Sequence, residues 1–372
     1  MGLCLVILVT GAVTCQPSTA ARTAQSATVV PGQNWERMPK PESAGYDAAR
    51  LEVLRAWLKT NRTTAMLVSV GGRILFEYGD VAHVSKVASV RKSILAMLYG
   101  KYVVAGTIDL DKTVKQLTLD DAEPFLPIEE RATLHMLLTA RSGIYLPSGN
   151  ANLDPLLPRR GSQPPGTYFQ YNNWDFNAAG TAFEKLTGKN IYDALESDLA
   201  RPIGMQDFDR ARQRKISLLP QSVHPEYAMY LSTRDMARLG LLMLHGGAWQ
   251  GKQLIPDAWC TAMTTLVTPP ADLHPTGLNL LTVSRRWGYG MLWWVWDAPV
   301  WPNVVTGPYQ AAYSAMGANG QYITVLPALD MVIAHKVDFD EEGEREVQPQ
   351  EFDAILQMVI ASASKTTSPR GR

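Results

Sequence analysis

Cysteine is scarce in this chain. Only three of its 372 residues are cysteine, Cys4, Cys15 and Cys260, and the first two sit in an N-terminal segment that reads as a leader. No disulfide framework can then brace the remainder, whose fold must rest on burial. An excess of either charge is also lacking, because 35 Lys and Arg balance 35 Asp and Glu, without a basic run or stripe. That argues against nucleic acid or an anionic membrane surface as partner and leaves a small molecule. The six histidines are scattered, with no His-Glu-x-x-His and no ligand-spaced pair, so no metal and no cofactor is expected. There is no Gly-x-Ser-x-Gly elbow to carry a Ser-His-Asp triad. Leu3 to Val13 is apolar but too short to span a bilayer as a helix, and it sits where a signal peptide belongs. Residues 1–15 therefore read as a signal peptide and the protein as exported, periplasmic or extracellular. The run lacks a basic flank, and Ala12-Val13-Thr14-Cys15 is a poor lipoprotein cleavage sequence, so Cys15 is the sole, weak argument for a membrane anchor.

Residues 16–44 are rich in Ser, Thr and Ala at first and reach Pro39-Lys40-Pro41, which predicts a flexible spacer. Asp47 can cap a helix with Leu51, Leu54, Trp57 and Leu58 on one stripe. Two β-rich runs, 65–70 and 73–78, flank Gly71-Gly72, a hairpin signal because glycine supplies the positive φ of a tight turn. Another helix runs from Ser89 to about Gly106. From about Asp109 to Arg285 helical segments at 129–138, 176–186, 190–199 and 235–244 alternate with Pro- and Gly-bearing loops. Strand character returns at 288–296, 321–326 and 331–336, before a last amphipathic helix at 349–362 and a polar tail, 365–372. The order predicts an α+β fold, an α/β sandwich. Its antiparallel sheet is built from both chain ends, 45–108 and 286–364, with flanking helices and a mainly helical domain, 109–285, inserted between them.

Three stretches carry chemistry. In Ser89-Val90-Arg91-Lys92 a three-residue spacing brings the Lys92 amine back over the Ser89 hydroxyl, a nucleophile beside a base at a helix N-terminus. The spacing alone says little, since Ser362-Ala363-Ser364-Lys365 repeats it in a polar tail. Tyr171-Asn172-Asn173 contains the only Tyr-x-Asn. A phenol near pKa 10 is a poor base unless a cation such as Lys92 favours its ionised form, and Asn173 could orient lysine and substrate. Taken alone the tripeptide reads more readily as a helix entry capped by Tyr171, with Asn173 satisfying a loop, and Ser148-Gly149-Asn150 competes with it. In Ser314-Ala315-Met316-Gly317-Ala318, Gly317 permits close backbone approach and the Ala318 N–H could face an oxyanion. Arg91 reads as an ion-pairing residue pointing elsewhere. The tryptophans clustered at 287–301 read as sheet and core packing that could wall an acyl pocket.

Together these motifs, in this order, resemble the serine β-lactamase and penicillin-recognising superfamily. The chain looks most like the class C β-lactamase-related hydrolases, and within them the 6-aminohexanoate-dimer hydrolase and esterase branch. The likeness covers roughly Gly45 to Ile360, including Leu137-Leu138-Thr139-Ala140-Arg141-Ser142-Gly143, Tyr230-Leu231-Ser232-Thr233-Arg234-Asp235 and Gly288-Tyr289-Gly290. It implies Ser89 as nucleophile, Lys92 and Tyr171 as proton relay, and backbone N–H groups of Ser89 and Ala318 as oxyanion hole, with Asn173 and Gly317 positioning substrate.

The third motif departs from the family pattern. Penicillin-recognising enzymes typically carry Lys-Thr-Gly or a histidine variant there, whereas Ala315-Met316-Gly317 offers neither cation nor hydroxyl for a substrate carboxylate. The expected activity is therefore hydrolysis of a small ester or amide through an acyl-enzyme. A β-lactamase or D-Ala-D-Ala carboxypeptidase and a non-catalytic penicillin-binding-like sensor are the rivals.

Overall fold

A computed structural model describes residues 29–150, 156–217, 221–274, 287–296, 307–338 and 346–363. The signal-peptide reading of residues 1–15 with Cys4 and Cys15, the first half of the spacer, the 285–286 boundary, Trp301 and the tail with Lys365 lie outside the described residues.

Gly71 and Gly72 both take positive φ, 56° and 75°, and close a hairpin between β1 (Ala65–Val70) and β2 (Arg73–Gly79). The remaining sheet strands come from the far end of the chain: β9 (Trp287–Tyr289), β10 (Trp294–Trp296), β11 (Tyr313–Gly317), β12 (Gln321–Leu326) and β13 (Met331–Lys336). They assemble in the order β2-β1-β13-β12-β11-β10-β9. Every pairing is antiparallel, and the two chain ends meet where Ala65 to Val70 pair with Lys336 to Met331. Every residue of β12 and β13 is buried, because helices cover both sheet faces.

On one face lie α1 (Ala48–Thr60) and α8 (Pro349–Ala361), which pack on each other. Asp47 caps α1 by accepting from Ala49 N and Arg50 N, and Leu51, Leu54 and Leu58 form its buried stripe. Phe352 of α8 stacks on Tyr322 of β12, with ring centroids 3.7 Å apart. The helix α2 (Val90–Val104) packs against β11 and β12. α6 (Thr233–Leu244) covers β12, β13 and β1, so a helix from the segment read as an inserted domain also serves as a layer of the sheet. The rest of that segment holds α3 (Leu134–Leu138), α4 (Asn173–Thr187), α5 (Ile191–Ala194) and α7 (Asp257–Met263). It also holds short ribbons, β4 (Arg214–Ile216) with β5 (Glu226–Ala228) and β7 (Ala248–Trp249) with β8 (Lys252–Gln253). A further ribbon pairs β3 (Ser85–Lys86) with β6 (Tyr230–Leu231).

Three expectations need correction. Residues 29–44 are not a loose spacer. Val29 N donates to Gly71 O and Met38 N to Ile74 O, backbone pairing that a polar composition does not reveal, and the Arg238 guanidinium donates to Gly32 O and Gln33 O. The run at 288–296 is not one strand but β9 and β10 joined by a turn in which Leu292 has φ 59°. The helix expected at 129–138 is a 3-10 turn at Glu129–Arg131 followed by α3, broken where Thr133 caps α3.

His335, fully buried on β13, ties the sheet to its surroundings. Its Nδ1 lies 2.7 Å from Gly320 O and its Nε2 2.8 Å from Thr63 Oγ1. A carbonyl can only accept, so Nδ1 holds the ring proton and Nε2 accepts from the threonine hydroxyl. Burial pushes the imidazole down to about 4 from 6.5. Between these values the unfolded chain binds a proton that the folded one refuses, so stability present above pH 6.5 is lost as pH falls toward 4. The expected loss is about 3 kcal/mol. Urea unfolding of wild type and His335→Gln across this range isolates it, since His224 and His245, also lowered by burial, cancel in the difference. Identical pH slopes in the two proteins would refute the assignment.

Candidate active site

The site is assembled at the start of α2. Val87 N donates to Met229 O, and Ala88 then takes a left-handed φ of 45°, a strained conformation for a residue with a Cβ. This kink delivers Ser89 to the N-cap of α2, yet its side chain makes no capping hydrogen bond. A serine placed there for helix stability would accept from the first-turn N–H groups. Here the hydroxyl points instead at Lys92, whose Nζ is 2.9 Å from Ser89 Oγ.

Lys92 Nζ is also 2.8 Å from Tyr171 Oη and 2.6 Å from Asn173 Oδ1. These two come from the other side of the site, where Asn172 caps α4. Its Oδ1 accepts from Trp174 N, and its Nδ2 donates to Ile144 O and Leu146 O. Tyr171 is thereby held just before the helix and Asn173 in its first turn. The competing asparagine, Asn150, accepts from Asn177 Nδ2. The role of Asn172 escaped sequence reasoning, which gave the cap to Tyr171.

The surroundings are apolar. Lys92 is 1% exposed, and its Nζ stands 4.3 Å from the centroid of the Tyr171 ring and 4.4 Å from that of Phe176. Trp294 stacks on the Tyr171 ring at 5.8 Å, and Tyr289 meets it edge-on at 6.0 Å. Ser93 Oγ donates to Leu292 O, fastening the β9–β10 turn, and with it these aromatic rings, to α2. Of the clustered tryptophans, Trp287, Trp293 and Trp294 are all core, and Trp294 in addition stacks on the Tyr171 ring.

Burial without a bulk-solvent shell lowers the Lys92 pKa well below its usual value; the Arg91 charge lowers it further and Glu226 opposes. Burial also pushes the Tyr171 phenol up to about 12, against smaller lowering effects from its hydrogen bond with Ser89 and the charge of Arg91. The electrostatics thus favour a neutral amine beside a neutral phenol.

Gly317 ends β11 directly against the start of α2. A Cβ there would lie 2.8 Å from Val87 O and 3.0 Å from Ser89 N, so any side chain would crowd the backbone donor of Ser89. Ala318 follows at the exposed turn into β12, and Ala315 and Met316 are buried. Sequence reasoning also missed the buried layer behind α2, Glu226 and Asn177, for which no local pattern exists. It missed Asp175 too, which accepts from Ser142 Oγ at 2.6 Å and whose pKa burial raises well above the usual carboxylate range. Among the described residues, no three His, Cys, Asp or Glu side chains gather to hold a metal ion.

The family model for Beta-lactamase matches residues 57–350. Penicillin-binding protein 4 of Amycolatopsis lactamdurans is 23% identical over 279 residues, which span 66% of this chain and 70% of that protein. A solved Bacillus anthracis structure, described as a 6-aminohexanoate-dimer hydrolase, superposes with a TM-score of 0.60 at 20% identity, covering 83% of this chain and 81% of its own. A family VIII carboxylesterase does so with a TM-score of 0.60 at 14% identity, covering 88% and 99%. At such identities the structures speak for the fold, and the family rests on the match across most of the chain. With a serine at the mouth of α2, a buried lysine beneath it and an antiparallel sheet drawn from both ends, this chain belongs to the beta-lactamase family.

Proposed function

We propose that this protein is a serine hydrolase that cleaves a small neutral ester or linear amide through an acyl-enzyme on Ser89. The observation that carries the reading is the convergence of Ser89 Oγ, Tyr171 Oη and Asn173 Oδ1 on one buried amine, all within 2.9 Å of Lys92 Nζ. The Asn173 oxygen can only accept, so one N–H of the neutral amine is committed to it and the lone pair remains for the serine proton.

Ser89 Oγ attacks the substrate carbonyl as its proton passes to Lys92. The N–H groups of Ser89 and Ala318 hold the oxyanion, each worth about 3 kcal/mol of barrier. The carbon–leaving-group bond breaks as Lys92, through the Tyr171 hydroxyl, returns that proton to the departing oxygen or nitrogen. Water enters by the same route in reverse: Tyr171 takes its proton with Lys92 as the sink, the hydroxide adds to the acyl carbonyl, and as the bond to Ser89 Oγ breaks Lys92 returns that proton to the serine, restoring the hydroxyl and the neutral amine.

The substrate class follows from what borders the site. Trp294, Tyr289 and Phe176 pack on the Tyr171 ring, and Phe176 also lies against the Lys92 amine, so the wall behind the amine is apolar, and Ala315-Met316 provides no partner for a carboxylate. A missing charge-assisted contact is worth roughly 1.5–3 kcal/mol, which corresponds to about 10- to 100-fold in kcat/KM. The names of the neighbouring hydrolase and carboxylesterase agree with this choice. p-Nitrophenyl butyrate should therefore be turned over with a kcat/KM at least about 10-fold above that for nitrocefin. Faster nitrocefin hydrolysis would replace the proposal with a β-lactamase, and no turnover or fluorophosphonate labelling at all with a binding protein.

A further inference from the structure

Arg91 lies between Ser89 and Lys92 in the chain but takes no part in the trio. Its guanidinium is buried, with Nε 3.3 Å from Glu226 Oε1 and Nη2 donating to Asn177 Oδ1 at 2.8 Å. It also stands 4.2 Å over the Tyr227 ring, and its Nη1 has no partner among the described residues. Glu226 is shared, because Lys86 Nζ approaches its other oxygen at 3.4 Å. Two cations thus share one carboxylate, leaving one net positive charge, with Arg91 and Glu226 buried and Lys86 partly exposed.

The layer is close to the amine. Asn177, which anchors the guanidinium, and Asn173, which anchors Lys92, lie on α4 four residues apart, a rise of about 6 Å. Arginine suits this task because its charge cannot be shed on burial, as that of a lysine can.

We propose that Arg91 and Glu226 are a positioning pair acting through Lys92: the fixed guanidinium charge keeps Lys92 a neutral amine ready for the Ser89 proton, and Glu226 sets how much of that charge it feels. The direction of each effect on Lys92 agrees, Arg91 lowering its pKa and Glu226 raising it, beneath the larger effect of burial. The other groups around the amine carry no competing charge. Tyr171 and Tyr289 are phenols pushed upward by burial, Asn173, Phe176 and Trp294 do not titrate, and Asp175, on the same helix as Asn173, has its carboxyl pushed well above the usual range by burial, against the smaller opposing effect of its hydrogen bond from Ser142. Lys86, on β3, engages Glu226.

The inference rests on Lys92 as the base in the proposed hydrolysis, and its test is the acid limb of kcat/KM for p-nitrophenyl butyrate. Arg91→Gln removes the repelling charge and should move that limb to higher pH, and Glu226→Gln should move it to lower pH, each by on the order of 1 unit. The double variant Arg91→Gln/Glu226→Gln should return toward wild type. Loss of packing alone would reduce activity in both single variants without opposed shifts. Should Arg91→Gln fail to fold, the downward shift in Glu226→Gln stands as the test. An unmoved limb in Glu226→Gln, or shifts of one sign in both variants, overturns the inference. Lys92→Ala run alongside separates the two claims. An active Lys92→Ala enzyme sinks the mechanism itself, whereas an inactive one with unshifted limbs in the other variants sinks only the role of the pair.

Discussion

Ser89→Ala is expected to lower kcat for p-nitrophenyl butyrate by about 10⁴- to 10⁶-fold, the range seen when an acyl-enzyme nucleophile is removed. The size follows from what is lost. Without the hydroxyl no covalent intermediate forms, and what remains is the oxyanion hole acting on a water molecule placed by chance. The fold should survive. Ser89 makes no capping bond to α2, so its removal takes no cap from the helix. A folded, inactive Ser89→Ala protein is the expected result; retained turnover would place the nucleophile elsewhere.

Lys92→Ala should come next in magnitude, with a loss of about 10³- to 10⁴-fold in kcat/KM. Here activity and stability should part company. Lys92 is an amine 1% exposed among aromatic rings, and burying it works against folding. Its removal leaves a cavity but relieves that desolvation, so the change in Tm should be small beside the loss of activity. Lys92→Arg should not restore turnover, because a guanidinium retains its proton at any working pH and does not fit the amine's place. Near-normal activity of Lys92→Ala with a collapsed Tm would recast the residue as structural.

Much of this was legible beforehand, and what was not has physical reasons. The hairpin at Gly71-Gly72 and the apolar runs of β12 and β13 announce themselves locally, because turn conformation and burial on both faces each leave a mark on composition. The approach of Lys92 to Ser89 follows from helical spacing. Its approach to Tyr171 does not: the two are 79 residues apart, and the contact was suggested by the chemistry a phenol base requires and by the ordered resemblance to a known family, not by any spacing. Glu226 and Asn177 were invisible, since a buried charge partner contributed by a distant strand or helix has no spacing rule. Residues 29–44 misled for the opposite reason. Their composition is that of a linker, but backbone hydrogen bonds to Gly71 and Ile74 hold them against the sheet, and backbone groups are the same in every sequence. Gly317 was marked for close backbone approach by a substrate; what presses on it in the fold is the chain itself, Val87 O and Ser89 N, the reason that no side chain fits there.

The central claim is that Ser89 becomes covalently acylated, and the most direct test is to trap it. Wild-type protein treated with a fluorophosphonate probe, then digested and sequenced by tandem mass spectrometry, should carry one adduct per chain on the peptide containing Ser89. The adduct should be missing from Ser89→Ala and form far more slowly in Lys92→Ala. Adduct on a different residue, or an unmodified and still active wild-type enzyme, would contradict the account.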